Sequence, residues 1–266
     1  MCAISITLPP NDFKSALLEG RQQIGLWSAL CSPVVSEIIA ASGFDWIVID
    51  VEHAPNDVPE VLLQLQAMAR GTAEPVVRCA WNDAVQIKRL LDVGARSLLV
   101  PFVQDAQDAR RAVAAARYPP QGIRGVAAAP RANRYGRVAG YHGQAHEDTC
   151  VLVQLETPAA LAEIEAIGAV EGVDGIFIGP ADLAAALGHL ANPHHPDVQA
   201  VIADSCRRCR AAGKAVGVLT ADPEQASRYL DWGFTFVAVG SDVGVLARGT
   251  EALAAAYRRR VVPAGM

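Results

Sequence analysis

Short apolar runs alternate with amphipathic stretches along nearly the whole chain. The segments Ile24–Leu30, Asp45–Glu52, Pro75–Trp81, Ser97–Val103, Cys150–Thr157, Gly175–Asp182, Ala215–Ala221 and Phe236–Asp242 read as eight strands. Between them, apolar residues recur at helical spacing, as at Val58, Val61, Leu62, Leu65 and Met68. Asp83 stands where a helix N-cap belongs, and Gly94 where a helix ends in a left-handed residue. Strands that are almost continuously apolar, each followed by a helix, predict a parallel sheet covered on both faces. Eight such units in 266 residues predict a closed (β/α)₈ TIM barrel. A doubly wound open sheet is the other arrangement of these elements, but no GxGxxG follows the first strand. The chain, 1–266, reads as a single barrel domain. An inserted arm at about 118–149 (YPPQGIRGVAAAPRANRYGRVAGYHG) breaks the rhythm, being long and rich in Gly, Pro and Arg.

Composition narrows the class. Hydrophobic residues make up 52% and charged residues 19%, which suits a chain with a large core. A net charge of −5 and a pI near 5.7 give no basic stripe, so no nucleic-acid partner is expected. No apolar run reaches the length of a membrane span, and MCAISITLPPNDFK lacks the features of a secretory signal. The cysteines are scattered; Cys31, Cys79 and Cys150 lie in apolar stretches and read as buried thiols of a soluble cytoplasmic protein. Cys206-Arg-Arg-Cys209 is a lone CxxC, a weak signal for zinc or redox chemistry.

Chemistry in a barrel of this kind sits where strands end and βα loops begin. The polar residues there are Trp27, Asp50, Glu52, His53, Arg78, Gln104, Gln154, Glu156, Asp182, Thr220, Ser241 and Asp242, whereas the opposite ends look bland. Glu156 and Asp182 end adjacent strands and can converge on one cation. Two hard oxygens without Cys or His suit Mg²⁺ or Mn²⁺. Helix capping by Asp182 and a solvated Glu156 are the plainer account. Strand alternation puts Gln154 on the same inward face as Glu156, where its amide can meet a substrate. Gly179-Pro180-Ala181-Asp182 is a tight turn opening a helix, whose free amides suit a carboxylate. His53 lies near carboxylates and can move a proton at neutral pH, although a histidine in a βα loop is often incidental. Arg78, inside an apolar strand, needs an anion: a bound carboxylate or enolate, or a structural pair with Asp50 or Glu52. The lysines, Lys14, Lys88 and Lys214, all lie away from the reactive rim, so a Schiff-base mechanism has no candidate.

The segments GLWSAL, FDWIVIDVEHAPND, PVVRCAWND, IKRLLDVGA, LLVPFVQ, YPPQGIRGV, VLVQLET, GVDGIFIGPADLA and FVAVGSD, in this order across the chain, resemble the class II pyruvate aldolases of the HpcH/HpaI type. The resemblance implies a divalent metal (Mg²⁺, Mn²⁺ or Co²⁺) and a retro-aldol reaction on 4-hydroxy-2-oxo acids such as 4-hydroxy-2-oxoheptanedioate. The products are pyruvate and an aldehyde, and the implied assembly is a homohexamer. It makes His53 the general base, with Asp92 raising its basicity, and Glu156 and Asp182 the metal ligands. Arg78, beside Asp50, stabilises the transition state. Gln154, Trp27 and the Ala181 backbone hold the 2-oxo acid, and Leu219 lines the aldehyde side. Asp92 sits awkwardly in this scheme, because the helical spacing puts it at the far end of its helix, away from the rim. The chain departs from the family at Val51, at Ala80 and in the arm, which puts the aldehyde in doubt. A donor other than pyruvate, such as hydroxypyruvate, remains open, as does a lyase acting on a CoA thioester through the Arg-bearing 124–137 loop. The non-enzymatic alternative is a silent barrel used as a scaffold.

Overall fold

The computed structural model describes residues 6–258, so Cys2 and both chain ends lie outside the described residues. Eight parallel strands close into a barrel in sequence order. They are β1 (Gln23–Ser28), β2 (Trp46–Asp50), β3 (Glu74–Arg78), β4 (Ser97–Val100), β5 (Cys150–Leu155), β6 (Gly175–Ile178), β7 (Ala215–Leu219) and β8 (Phe236–Ser241). A helix α1 (Asp12–Leu18) precedes the barrel, followed by α2 (Pro33–Ala40), α3 (Val58–Ala67), α4 (Ala84–Asp92) and α5 (Ala106–Ala116). The second half carries α6 (Tyr141–Asp148), α7 (Pro158–Ala162), α8 (Ile164–Gly168), α9 (Pro180–Ala186), α10 (Pro196–Ala211), α11 (Pro223–Trp232) and α12 (Asp242–Arg258). The eight strands and the barrel are those the apolar pattern predicts. Their C-terminal ends fall earlier than expected, because the rim residues leave the ladder for side-chain partners. Thus the Glu52 backbone N–H donates to Asp50 Oδ1, and the Ala80 N–H to Gln86 Oε1.

Two apolar layers hold the barrel. Outside the strands, residues such as Ile47, Ile49, Val77, Leu98, Val153, Ile176 and Val218 pack under the helices. The α3 face is as read except that Leu62 is only partly buried and Gln64 is fully buried, donating to Asn56 Oδ1 and accepting from Ser36 Oγ. Asp83 caps α4 by accepting from the Gln86 N–H, and Gly94 takes φ +102° just past its end.

Inside, Trp46, Val48, Val76, Leu99, Leu152, Phe177, Phe236 and Ala238 form a second cluster, closed from below by Phe13 and Leu17 of α1. Phe13 meets Trp46 and Phe236 with ring centroids 5.6 and 5.8 Å apart. So many rings fit one barrel only because glycines face them. Gly25 is paired in register with Trp46 and Gly217 with Phe236, and a Cβ at either would lie 2.3 or 2.1 Å from the opposing ring.

The lower rim is less bland than the sequence suggests. Lys14 approaches Asp174 at 3.5 Å, Arg96 binds Glu74, and Asn11 donates to Ser97 Oγ. These contacts fasten the α1 plug. The segment between α5 and β5 also belongs to this lower face, since α5 runs down from the rim at the strands' C-terminal ends and β5 starts back up. Arg131 there donates to the Val93 carbonyl, and Arg124, buried against the Tyr118 ring, binds Asp92.

Gly217→Ala should therefore lower stability by about 1–3 kcal/mol through overpacking against Phe236. Chemical denaturation measures this. A change within error would contradict the packing assigned to the barrel interior.

Candidate active site

The strand direction carries a chemical gradient inside the barrel, from rings at the bottom to charges at the top. Asp50 and Arg78 are register partners at the ends of β2 and β3, so both side chains project into the mouth from neighbouring positions. Asp50 Oδ1 accepts from Arg78 Nε at 2.9 Å, and Oδ2 from Nη2 at 2.6 Å. Arg78 Nη1 lies 2.9 Å from Glu52 Oε2, close enough to pair but not aligned for a hydrogen bond. The guanidinium sits 4.8 Å from the centroid of the Trp27 ring, whose Nε1–H donates to Asp50 Oδ2. Of the two partners the sequence leaves open for Arg78, the structure supplies both acids at once. Burial opposes ionisation of Asp50, but the Arg78 hydrogen bonds and charge outweigh it and hold the carboxyl below its usual range. Glu52 shows the reverse balance: burial raises it despite the attraction of Arg78 and His53.

Glu156 follows β5 and is buried. Its Oε2 accepts from Gln154 Nε2 at 2.7 Å and its Oε1 from the Phe102 backbone N–H at 3.1 Å. Burial pushes this carboxyl up to about 7, the Gln154 hydrogen bond opposes the rise, and the charges of Glu52 and Asp182 add to it. Asp182 lies not at a strand end but in the first turn of α9, where it is exposed. Glycine at 179 makes the arrangement possible, since a Cβ there would come within 2.7 Å of Glu156 Oε2 and 2.9 Å of its Cβ.

Around the mouth, then, Asp50 and Glu52 pair with one fixed guanidinium, while Glu156 feels the charges of Glu52 and Asp182 without an arginine of its own. The Oε1 of Gln154 is buried and unpartnered. An excess of hard oxygen donors with an orphaned amide oxygen fits a divalent cation held by carboxylates. Above this floor opens a cavity of about 1320 Å³, whose walls include Trp27, Asp50, Arg78, Ala181, Leu219 and Thr220.

Other expected residues fall elsewhere. His53 is exposed on the loop after β2, its Nε2 3.9 Å from Glu52 Oε1. Asp92 ends α4 on the lower face, paired with Arg124, and does not meet His53 within one chain. Asp242 is structural: it accepts from Ser28 Oγ and from the Ala29 and Leu30 N–H groups, clamping the loop after β1. Gln104 accepts from Thr157 Oγ1 and bridges two loops. Cys31 is half-buried, at φ +54°, not sealed in the core as its apolar setting suggested. Cys206 and Cys209 are buried, and burial pushes their thiols up to about 11 and about 12, which suits packing and not metal or redox work. Lys14 and Lys214 bind lower-face groups and the Lys88 stem passes beside Gly125, so no lysine of the described residues is seen at the mouth. Two contributors had weaker signals. Glu52 was visible as a strand-end acid and only as an alternative partner of Arg78, and Phe102, at φ +54°, carries no sequence mark of its strained backbone.

A closed parallel barrel with acids, an arginine and no lysine at its C-terminal mouth defines a lysine-independent TIM-barrel enzyme. Residues 23–249 match the HpcH/HpaI aldolase/citrate lyase family, and the chain belongs to that family, whose members make and break carbon–carbon bonds. It is 59% identical over 248 residues to a 4-hydroxy-2-oxo-heptane-1,7-dioate aldolase of Klebsiella pneumoniae, covering 93% of this chain and 94% of the relative. A protein of the same name from Salmonella heidelberg is 56% identical with the same coverage. Among solved structures, an HpcH/HpaI aldolase/citrate lyase family protein from Burkholderia cenocepacia superposes with a TM-score of 0.91 at 40% identity. That match covers 93% of this chain and 99% of the other.

Gly179→Ala is expected to displace Glu156 and weaken Mn²⁺ binding by about ten-fold or more, as loss of support behind a ligand does. Calorimetric titration reads the affinity. Unchanged affinity in a folded variant would remove Glu156 from the cation site.

Proposed function

We propose that the chain is a divalent-metal-dependent aldolase that cleaves and forms 4-hydroxy-2-oxo acids, with 4-hydroxy-2-oxo-heptane-1,7-dioate as the leading substrate. The observation that carries this reading is the carboxylate-rich mouth around one rigid guanidinium, in a barrel with no lysine to form a Schiff base. Glu156 and Asp182 are the residues that would hold Mg²⁺, Mn²⁺ or Co²⁺. When bound, the cation supplies Lewis-acid stabilisation of the charge that develops on the 2-oxo oxygen.

The chain's own groups do the rest. Asp50 grips two nitrogens of Arg78 and Glu52 approaches the third, so the guanidinium cannot turn away from the cavity. Its remaining N–H donors meet the enolate oxygen as negative charge builds there, and one such donor is worth about 3 kcal/mol. Gln154 steadies Glu156 through its amide nitrogen and offers its free oxygen to the substrate. Ala181, on the cavity wall, presents its backbone to the carboxylate end. Trp27 and Leu219 give the cavity apolar sides that exclude water from the reacting carbons. His53 takes the proton of the 4-hydroxyl as the C3–C4 bond breaks. The electron pair of that bond becomes the enolate of pyruvate, and the hydroxyl carbon leaves as the aldehyde. The CoA-lyase alternative has less support, since the 124–137 segment lies on the face opposite the mouth.

Asp92 can serve a histidine only from another subunit, which links it to a homohexamer. The 17-residue α12 supports assembly: only Asp242 in it is buried, while Val245, Leu246 and Leu253 are more than half exposed. A cytoplasmic setting suits the free thiols at Cys31, Cys79, Cys150, Cys206 and Cys209. Among the described residues, no helix is long and apolar enough to cross a membrane.

EDTA should abolish turnover of the heptanedioate substrate, and Mg²⁺, Mn²⁺ or Co²⁺ should restore it. His53→Ala should then lower kcat by about 100-fold or more with little change in KM. Full turnover in chelator, or a wild-type kcat for the variant, would overturn the corresponding role. A panel of aldehydes with pyruvate and hydroxypyruvate donors identifies the natural pair; absence of any pyruvate-dependent addition would sink the substrate class. By light scattering, the particle should weigh six times the 28.1 kDa chain. A monomer at assay concentration would contradict assembly through α12.

A further inference from the structure

The loop joining α9 to α10 carries a cluster of ligating groups that the aldol chemistry does not use. His189, His195 and Asp197 place one potential ligand atom each within 4.8 Å of the others, and no other such group of three or more His, Cys, Asp or Glu occurs among the described residues. The loop is folded back to bring them together. The His189 N–H donates to the Ala184 carbonyl, the Asn192 N–H to His189, and the His195 N–H to Asn192, with Gly188 and Ala191 both at positive φ. Gln199, buried in α10, donates to the Pro193 carbonyl and to Tyr229 Oη, anchoring the loop to α10 and α11.

The two imidazoles stack with centroids 3.5 Å apart and planes 14° from parallel. The His195 Nδ1 accepts from the Asp197 N–H at 3.2 Å, so a lone pair of that ring is directed at the start of α10. Asp197 Oδ2 lies 3.5 Å from His189 Nε2 and 3.6 Å from His195 Nδ1. Those separations are at or beyond the limit of a hydrogen bond. They are near the ~3.4 Å edge of a tetrahedron built on bonds of roughly 2.1 Å, the usual length for zinc with nitrogen or oxygen.

We propose that His189, His195 and Asp197 form a transition-metal site, separate from the catalytic cation, that takes Zn²⁺ or a similar borderline ion with water completing its coordination. Two imidazoles and one carboxylate select such ions over Mg²⁺, which prefers an all-oxygen set. A bound ion takes the lone pair that now caps the Asp197 N–H, and water reaches that exposed helix end to replace the bond. The side chains are open to solvent, with His189 25%, His195 32% and Asp197 75% exposed, so the ion enters without unfolding the loop. Pro193 and His194 of the same loop line the catalytic cavity, so the ion ties down part of its wall.

Zn²⁺ titrated by calorimetry into the full-length protein, in buffer with excess Mg²⁺, tests the site. Wild type should bind one Zn²⁺ per chain that His189→Ala does not, while Asp197→Asn should lose about ten-fold or more in affinity for it. The Mg²⁺-supported activity and circular dichroism of His189→Ala should match wild type. In a Glu156→Gln background the extra equivalent should persist, which separates its failure from failure of the catalytic site. Co²⁺ should give a visible ligand-field band in wild type that His189→Ala lacks. Equal Zn²⁺ stoichiometry and equal Co²⁺ spectra in wild type and His189→Ala, or loss of the equivalent with Glu156→Gln alone, would overturn the proposal.

Discussion

A guanidinium inside a closed barrel must be matched by anions or it destabilises the fold by several kcal/mol. The β2–β3 register provides the match by setting Asp50 opposite Arg78 at the inner rim. Much of the mouth follows from that pairing. Asp50 also accepts from the Trp27 indole and from the Glu52 and His53 backbone N–H groups, so one carboxylate orients the cavity wall, the arginine and the start of the loop bearing the histidine. Because Asp50 is held ionised by Arg78, the guanidinium is already engaged when further acids gather at the same rim. Glu52 and Glu156 are then left short of positive charge, and burial raises both. Hard oxygen donors short of positive charge are the setting a divalent cation fits.

The barrel was legible because its signal is repeated eight times and each repeat is nearly all apolar. The inward acids were legible for a related reason: a carboxylate ending an apolar strand has few places to go other than the mouth. Boundaries were less visible. Asp182 looked like a strand-end residue, yet Pro180 starts α9 two positions earlier, since proline suits the first helical turn and cannot continue the ladder. Gly179 read as part of a turn, whereas its missing Cβ makes room for Glu156, a contact with a residue more than twenty positions away that no local pattern encodes. Phe102 is harder still, because a positive φ at a bulky residue is imposed by surrounding structure and leaves no compositional trace. His189 and His195 stand six positions apart with no local pattern to join them. Only the reversal at Gly188 and Ala191 brings them into contact.

Asp92 illustrates how topology limits what one chain can assemble. In an α/β barrel every helix following a strand runs back toward the lower face, so the last residue of α4 is far from the loop that follows β2. The sequence spacing exposed that conflict, and the Arg124 contact gives Asp92 a definite position at the lower rim. Arg124 is itself held against Tyr118, with two of its nitrogens buried and without hydrogen-bond partners. Leaving such donors unmet is costly, so this corner is built to fix Asp92 in place at some expense to local stability.

The two faces of the barrel therefore carry different kinds of constraint. At the upper rim, acids outnumber the one arginine, and burial raises Glu52 and Glu156. At the lower rim, α1 seals the aromatic interior and the segment after α5 fixes Asp92, so the polar groups are spent on holding elements together. A histidine above and an aspartate below can act as one dyad only if separate barrels stack with opposite faces in contact. That requirement turns an apparent misfit within one chain into an argument about assembly. The long segment after α5 belongs to the same division: it pins Asp92 at the lower rim through Arg124 and lies away from the mouth of its own barrel.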